Sequence, residues 1–204
     1  ENEQKSFVKK TKDFFYFYST LEHLAEIKFI EAHHNVSPIE VALLLSKQPL
    51  LNKAFILSQI NGIQKAKDKL PAFYATPNII YPTKLSLEQC SSEKTGVYKS
   101  KLIKGKTLVD LTGGFGVDSF YFSKMYHQVT YIEPNETLCN TVKHNFGLLK
   151  VNNVCMINTT AENFIKANTQ QFGVVYIDPS RRDQNKRVFK LDEGTPNIVA
   201  LARK

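Results

Sequence analysis

TLVDLTGGFGV, residues 107–117, decides how the rest of the chain is read. Leu108 and Val109 make a short apolar run of the kind that forms a buried strand, and Asp110 closes it. Thr112, Gly113, Gly114 and Gly116 then turn the chain into a helix expected over 117–126. Three glycines in four positions allow positive φ and let backbone N–H groups come close to a ligand, while the next helix offers the positive end of its dipole. This is the architecture of a nucleotide-type pocket. Taken alone it is also an ordinary glycine-rich turn, so the residues downstream must decide.

Those residues alternate between strand and helix. Residues 129–133 are expected as a strand, 135–149 as a helix capped by Asn135, 154–157 as a strand, 161–167 as a short helix and 174–178 as a strand. The fold class is therefore α/β, a Rossmann-like parallel sheet wound by right-handed crossovers. Ligands on such sheets lie at the carboxyl ends of the strands. Those ends carry Asp110, Glu133, the stretch 158–160, and Asp178-Pro179-Ser180-Arg181-Arg182. Glu133 follows Asp110 at a distance from which a carboxylate at the end of the second strand accepts both hydroxyl protons of a ribose.

Upstream, residues 4–81 show helical patterns and no strand, which predicts an all-α N-terminal domain over 1–83 and a Rossmann-like domain over 84–204. Ser37-Pro38-Ile39-Glu40 is a capping box that starts a helix carrying Val41, Leu43 and Leu44 inward. A second helix, 51–70, has Ile56, Ile60 and Ile63 on one stripe. Phe14, Phe15, Tyr16, Phe17 and Tyr18 form an unbroken aromatic run, more than one buried stripe can use. Pro71, Pro77 and Pro82 punctuate an irregular connector. After it, residues 86–102 are expected as one helix capped by Ser86, with Gln89, Ser91, Ser92 and Glu93 as a polar cluster that either faces solvent or covers the ligand.

Composition bounds the function. The 204 residues are 42% hydrophobic, enough for a real core. No apolar run approaches the roughly 20 residues of a membrane span, and the first residues lack the apolar centre of a secretory signal, so a cytoplasmic location is expected. Cys90, Cys139 and Cys155 are scattered and form no CxxC pair, which suggests neither a disulfide framework nor a metal site. His33-His34 are adjacent and point in different directions on a helix end. The net charge of +8 divides as +2 over residues 1–95 (12 basic, 10 acidic) and +6 over 96–204 (15 basic, 9 acidic), so the excess lies with the glycine motif and favours a polyanionic partner.

Asp110, Gly114, Gly116, Glu133 and the Asp-Pro at 178–179 together resemble the class I, seven-stranded S-adenosylmethionine-dependent methyltransferases. Thr112 stands where that family usually has its first glycine. EQCSSE, DLTGGFGVDS and DPSRRD, from about residue 86 to 182, are similar to a group of bacterial methyltransferases with a helical leading region and a THUMP-like tail. The resemblance implies that Asp110, Thr112, Gly113, Gly114 and Gly116 surround the cofactor, that Glu133 binds its ribose, and that Thr160 and Ala161 flank its adenine. It implies further that Asp178 lies at the methyl-transfer centre; Arg181 and Arg182, on the turn after it, are expected either to grip a substrate phosphate or to pair with Asp183 or Asp192. Many relatives have Asp at the position of Thr160, and DPSRR lacks the aromatic of the motif used on exocyclic amines. The turn is closer to the D-P-A-R turn of uracil-C5 methyltransferases, whose cysteine nucleophile has no counterpart here. RNA, as a ribosomal or transfer RNA base, is the expected substrate.

Other functions share part of this pattern. A nicotinamide-dependent oxidoreductase would use the same strand, glycines and Glu133, and a catalytically silent RNA-binding module would use the sheet only as scaffold. A full seven-stranded sheet needs three more strands after Asp178. Only 26 residues remain, of which 187–191 suit one short strand, and the chain opens on Glu1. The domain is therefore expected to be incomplete, truncated after its fourth or fifth strand.

Overall fold

A computed structural model gives the structure and describes residues 24–102, 104–179, 182–183, 186–187, 196 and 201. The chain divides into two compact units, Glu1–Asp68 and Lys69–Lys204. The first holds α1 (Leu24–His33), α2 (Pro38–Ser46) and most of α3 (Lys53–Lys69). At the start of α2, Ser37 Oγ accepts the Glu40 N–H at 3.3 Å and donates to the Glu40 carboxylate at 3.1 Å, which closes the capping box. Its inward stripe differs from expectation. Val41 and Leu45 are fully buried with Ile56 and Ile60, whereas Leu43 and Leu44 stay exposed, because residues four apart share a helix face and 43 and 44 fall to its side. The aromatic run 14–18 lies outside the described residues.

The second unit opens with α4 (Pro71–Tyr74), α5 (Lys84–Gln89) and α6 (Glu93–Leu102). The single helix expected over 86–102 is thus two. Thr83, not Ser86, caps α5, taking the Ser86 N–H at 3.4 Å. Cys90 is extended (ψ 154°), and Ser92 starts α6 by accepting the Thr95 N–H at 3.2 Å. The connector before α5 is packed rather than free. Asn145 takes both the N–H and the C=O of Ile80, at 2.9 and 2.8 Å, and Ile79, Ile80 and Tyr81 are buried.

The sheet follows: β1 (Thr107–Asp110), α7 (Val117–Ser123), β2 (Gln128–Ile132), α8 (Glu136–Leu148), β3 (Val154–Ile157), α9 (Ala161–Ala167) and β4 (Val174–Tyr176). Its order is β3-β2-β1-β4 and every pairing is parallel. The chain is a mixed α/β fold with a Rossmann-like parallel sheet preceded by helices. Both faces of the sheet are covered, as parallel sheets require. Leu108, Phe122, Tyr126 and Val129 pack on one face, while Val109, Leu111, Ile132 and Ala161 pack on the other. α7 ends at Ser123, shorter than expected, with Lys124 turning the chain toward β2. Beyond β4, β5 (Arg182–Asp183) and β6 (Lys186–Arg187) pair antiparallel, and the strand expected over 187–191 meets the described residues only at Arg187.

The chain leaves β1 toward β2 and β3 on one side and toward β4 on the other. The crevice between the carboxyl ends of β1 and β4 is therefore the topological switch point at which such sheets bind ligands.

Candidate functional site

β1 delivers Asp110 to this crevice as a fully buried carboxylate. Burying an unpaired carboxylate costs several kcal/mol, so its oxygens need donors. Oδ1 accepts the Thr112 N–H at 3.0 Å and the Thr112 hydroxyl at 3.3 Å, and Oδ2 accepts the Ser119 hydroxyl at 2.7 Å. Burial pushes the Asp110 pKa up to about 7 against the pull of those donors, and the charge of Asp118 adds to the rise. Asp110 thus braces the turn from beneath.

The turn itself is set by close approach. A Cβ on Gly113 would run into the ring of Tyr131, which is fully buried and donates its hydroxyl to the Gly114 carbonyl at 2.7 Å. Gly116, at φ 75°, caps α7 in the left-handed region that favours glycine. Between them Phe115 packs on Phe73 of α4 and on Tyr81 of the connector, at centroid separations of 5.5 and 6.4 Å. A glycine turn with one aromatic anchored behind it is a fixed cradle.

Glu133 follows β2 and faces the same turn. Its Oε2 accepts the Gly114 N–H at 2.9 Å and its Oε1 the Asn135 N–H at 2.8 Å. Burial raises its pKa, opposed by those two backbone donors. Each carboxylate oxygen keeps a further lone-pair direction for a hydroxyl donor. Asn158 steadies the segment by donating to the carbonyls of Glu133 and Pro134, at 2.8 and 3.1 Å. Thr160 spends its hydroxyl as the cap of α9, accepting the Asn163 N–H at 3.2 Å, and Ala161 is buried among Leu111 and Ile132.

At the end of β4 the Asp178 N–H donates to Thr112 Oγ1 at 2.8 Å, which ties β4 to the glycine turn. The Asp178 side chain is 52% exposed and bonds the Lys99 ammonium of α6 at 2.8 Å. Lys99 also bonds Asp118 Oδ2 (3.1 Å), Tyr176 Oη (2.6 Å) and Ser91 Oγ (2.9 Å). Its ring partner is the same Tyr176, with Nζ 5.3 Å from the centroid.

Hydrogen bonds therefore link Asp110, Thr112 and Asp178 in one set and Gly114 with Glu133 in another, the two sets meeting in the glycine turn, while Thr160 and Ala161 sit at the neighbouring β3–α9 junction. Arg181 lies outside the described residues. Sequence reasoning missed Ser119, Asp118, Tyr176 and Lys99. Tyr176 had a signal, since it stands two before Asp178 and strand side chains alternate. Lys99 had none, being 79 residues from its partner. Ser91 of the expected polar cluster does join this network, donating to Asp118 Oδ2 at 2.9 Å.

Known proteins resemble this chain in sequence and fold. Residues 93–193 match the family described as conserved hypothetical protein 95. The crystal structure of a "putative methyltransferase" from Porphyromonas gingivalis W83 is 31% identical, with a TM-score of 0.69 over 89% of this chain. The match covers 45% of that protein, so this chain spans less than half of its length. A "putative methyltransferase" from Streptococcus mutans in complex with SAH matches at 17% identity and a TM-score of 0.41, over 54% of this chain and 62% of that one. No curated protein sequence matches the chain. The fold is that of the class I, Rossmann-like methyltransferases. Among the described residues no group of His, Cys, Asp and Glu is placed to hold a metal ion, and no helix is long and apolar enough to cross a membrane.

Proposed function

We propose that this chain carries the cofactor site of an S-adenosylmethionine-dependent methyltransferase that acts on an RNA base of ribosomal or transfer RNA. The observation that carries the reading is the convergence of a braced glycine turn, Glu133 and Asp178 at the β1/β4 switch point, joined through Thr112 and Gly114. The residues fit the cofactor. Glu133 has acceptor directions left and would take the two ribose hydroxyls, Gly113 to Gly116 would hold the methionine part, and Thr160 and Ala161 would flank the adenine. When bound, the cofactor's sulfonium supplies an activated methyl group. The chain then has only to align an acceptor and receive one proton, tasks that fall to Asp178 with Arg181 holding a nearby phosphate.

A dinucleotide fits less well. The glycines lack the G-x-G-x-x-G spacing. RNA is supported by the +6 charge of residues 96–204 and by the resemblance to proteins with a THUMP-like tail. The helical part, residues 1–83, is assigned to substrate presentation.

Calorimetry with S-adenosylhomocysteine should show binding that Glu133→Ala weakens by about tenfold or more, the loss of two hydrogen bonds to a charged group. Labelled cofactor with RNA from cells lacking the protein, followed by nucleoside mass spectrometry, should place label in a base. Binding of NAD in preference to either cofactor form would overturn the class. Label only in protein or small metabolites would overturn the substrate.

A further inference from the structure

The network behind Asp178 has more contacts than protons. Lys99 Nζ lies within 3.1 Å of four oxygens, on Ser91, Asp118, Tyr176 and Asp178, and an ammonium has three protons to give. The Tyr176 hydroxyl adds one proton and has two carboxylate oxygens in reach, Asp118 Oδ2 at 3.0 Å and Asp178 Oδ2 at 3.3 Å. Two carboxylates around one ammonium keep the lysine charged. Burial pulls its pKa down, but the hydrogen bond to Asp178 and the charges of Asp118 and Asp178 together raise it above the ordinary value. Every contact of the Asp178 carboxylate within this network is made by Oδ2. Among the described residues no donor reaches Oδ1, and the side chain is half exposed.

We propose that Lys99 is the positioning residue for Asp178: anchored by Asp118, Tyr176 and Ser91, it clamps Oδ2 and so aims Oδ1 at the N–H or O–H of the methyl acceptor. The proposal rests on the methyltransferase reading. Thr112 fixes the backbone of Asp178 and Lys99 fixes its side chain, so the carboxylate keeps little rotational freedom. Lys99 itself touches neither acceptor nor cofactor in this scheme. Its effect is the pre-alignment of a group that does, for which a displacement of an ångström costs on the order of a hundredfold in rate.

Two measurements on the full-length protein test it. Competitive acetylation with acetic anhydride, read at each lysine by peptide mass spectrometry, should modify Lys99 at least about tenfold more slowly than exposed Lys101, and Asp178→Asn should narrow the gap. Equal acetylation of the two lysines in the wild type overturns the proposal without any turnover assay. In the second measurement, Lys99→Ala should keep S-adenosylhomocysteine affinity within about twofold and lose roughly 30-fold or more of the methyl-transfer rate at saturating RNA and cofactor. Added ethylammonium should restore part of that rate saturably. A Lys99→Ala protein with wild-type rate, or a lost rate that ethylammonium leaves unchanged, overturns it. A wild-type protein that binds neither S-adenosylmethionine nor S-adenosylhomocysteine overturns the methyltransferase reading, and this inference falls with it.

Discussion

The two sides of the crevice are held by different kinds of bond. On the β1/β2 side, Glu133 is held by two backbone N–H groups, and Asp110 by one such group together with the hydroxyls of Thr112 and Ser119, all from residues close to the turn. On the β4 side, Asp178 is oriented by Lys99 and Tyr176, whose own partners come from α6, α7 and the turn before α6. A backbone donor stays whatever side chain its residue carries, so Glu133 keeps its two donors whatever surrounds it. A side-chain clamp depends on several distant residues being right at once, which suits the half of a site that must differ from one acceptor to another.

The strongest way to break this contrast is to remove the buried charge under the turn. The folded pKa of Asp110, about 7, lies above its ordinary 3.8, so the native state holds its proton more tightly than the unfolded chain does. Its contribution to stability is then fully present below pH 3.8 and is lost as pH rises through about 7, a change on the order of 4 kcal/mol. Urea unfolding of the wild type should show this decline. Asp110→Asn, which cannot ionise, should flatten it, and parallel curves for the two proteins would mean that burial does not govern this carboxylate.

Next in size is Gly113→Ala. The added methyl meets the Tyr131 ring, and that ring cannot retreat, because it is fully buried and its hydroxyl holds the Gly114 carbonyl. Overpacking of this kind costs about 3 kcal/mol. Because the turn and Glu133 share the Gly114 N–H, S-adenosylhomocysteine binding should fall together with the melting temperature. A variant that melts normally and binds normally would show that the cradle is looser than its contacts.

The same contrast explains what the sequence made legible. The strands, the glycine turn and the ribose-side carboxylate follow from local patterns: apolar runs, glycine spacing and a carboxylate at a strand end. Their partners are near in the chain or are backbone groups, so residue type and spacing suffice. The split of the 86–102 helix was hidden because nothing in residue type marks Cys90 as extended, with Ser92 free to start a second helix. Leu43 and Leu44 are as apolar as the buried pair, and only the four-residue spacing of Val41 and Leu45 marks the inward face. The Lys99 clamp was illegible for a stronger reason. A lysine among Lys94, Lys101 and Lys104 has no distinguishing mark until the fold brings Asp118, Tyr176 and Asp178 to it.

Thr112 joins the two sides, and its removal is the smallest and most discriminating change. Its hydroxyl donates to Asp110 Oδ1 and accepts from the Asp178 N–H, so one oxygen couples the buried carboxylate to the backbone of the exposed one. Thr112→Val keeps the shape and deletes both bonds. The Asp178 N–H loses its acceptor but lies at an exposed residue where water replaces it, and Asp110 keeps Ser119 and the Thr112 N–H. The expected cost is therefore about 1 kcal/mol, the net worth of a hydrogen bond with partial replacement. Thr112→Ser should restore it. If the sides are independent, Thr112→Val should leave the effect of Lys99→Ala on turnover unchanged. If Thr112 carries the coupling, the double variant should lose less than the two single effects combined, because an Asp178 already freed at its backbone has less alignment left for Lys99 to provide.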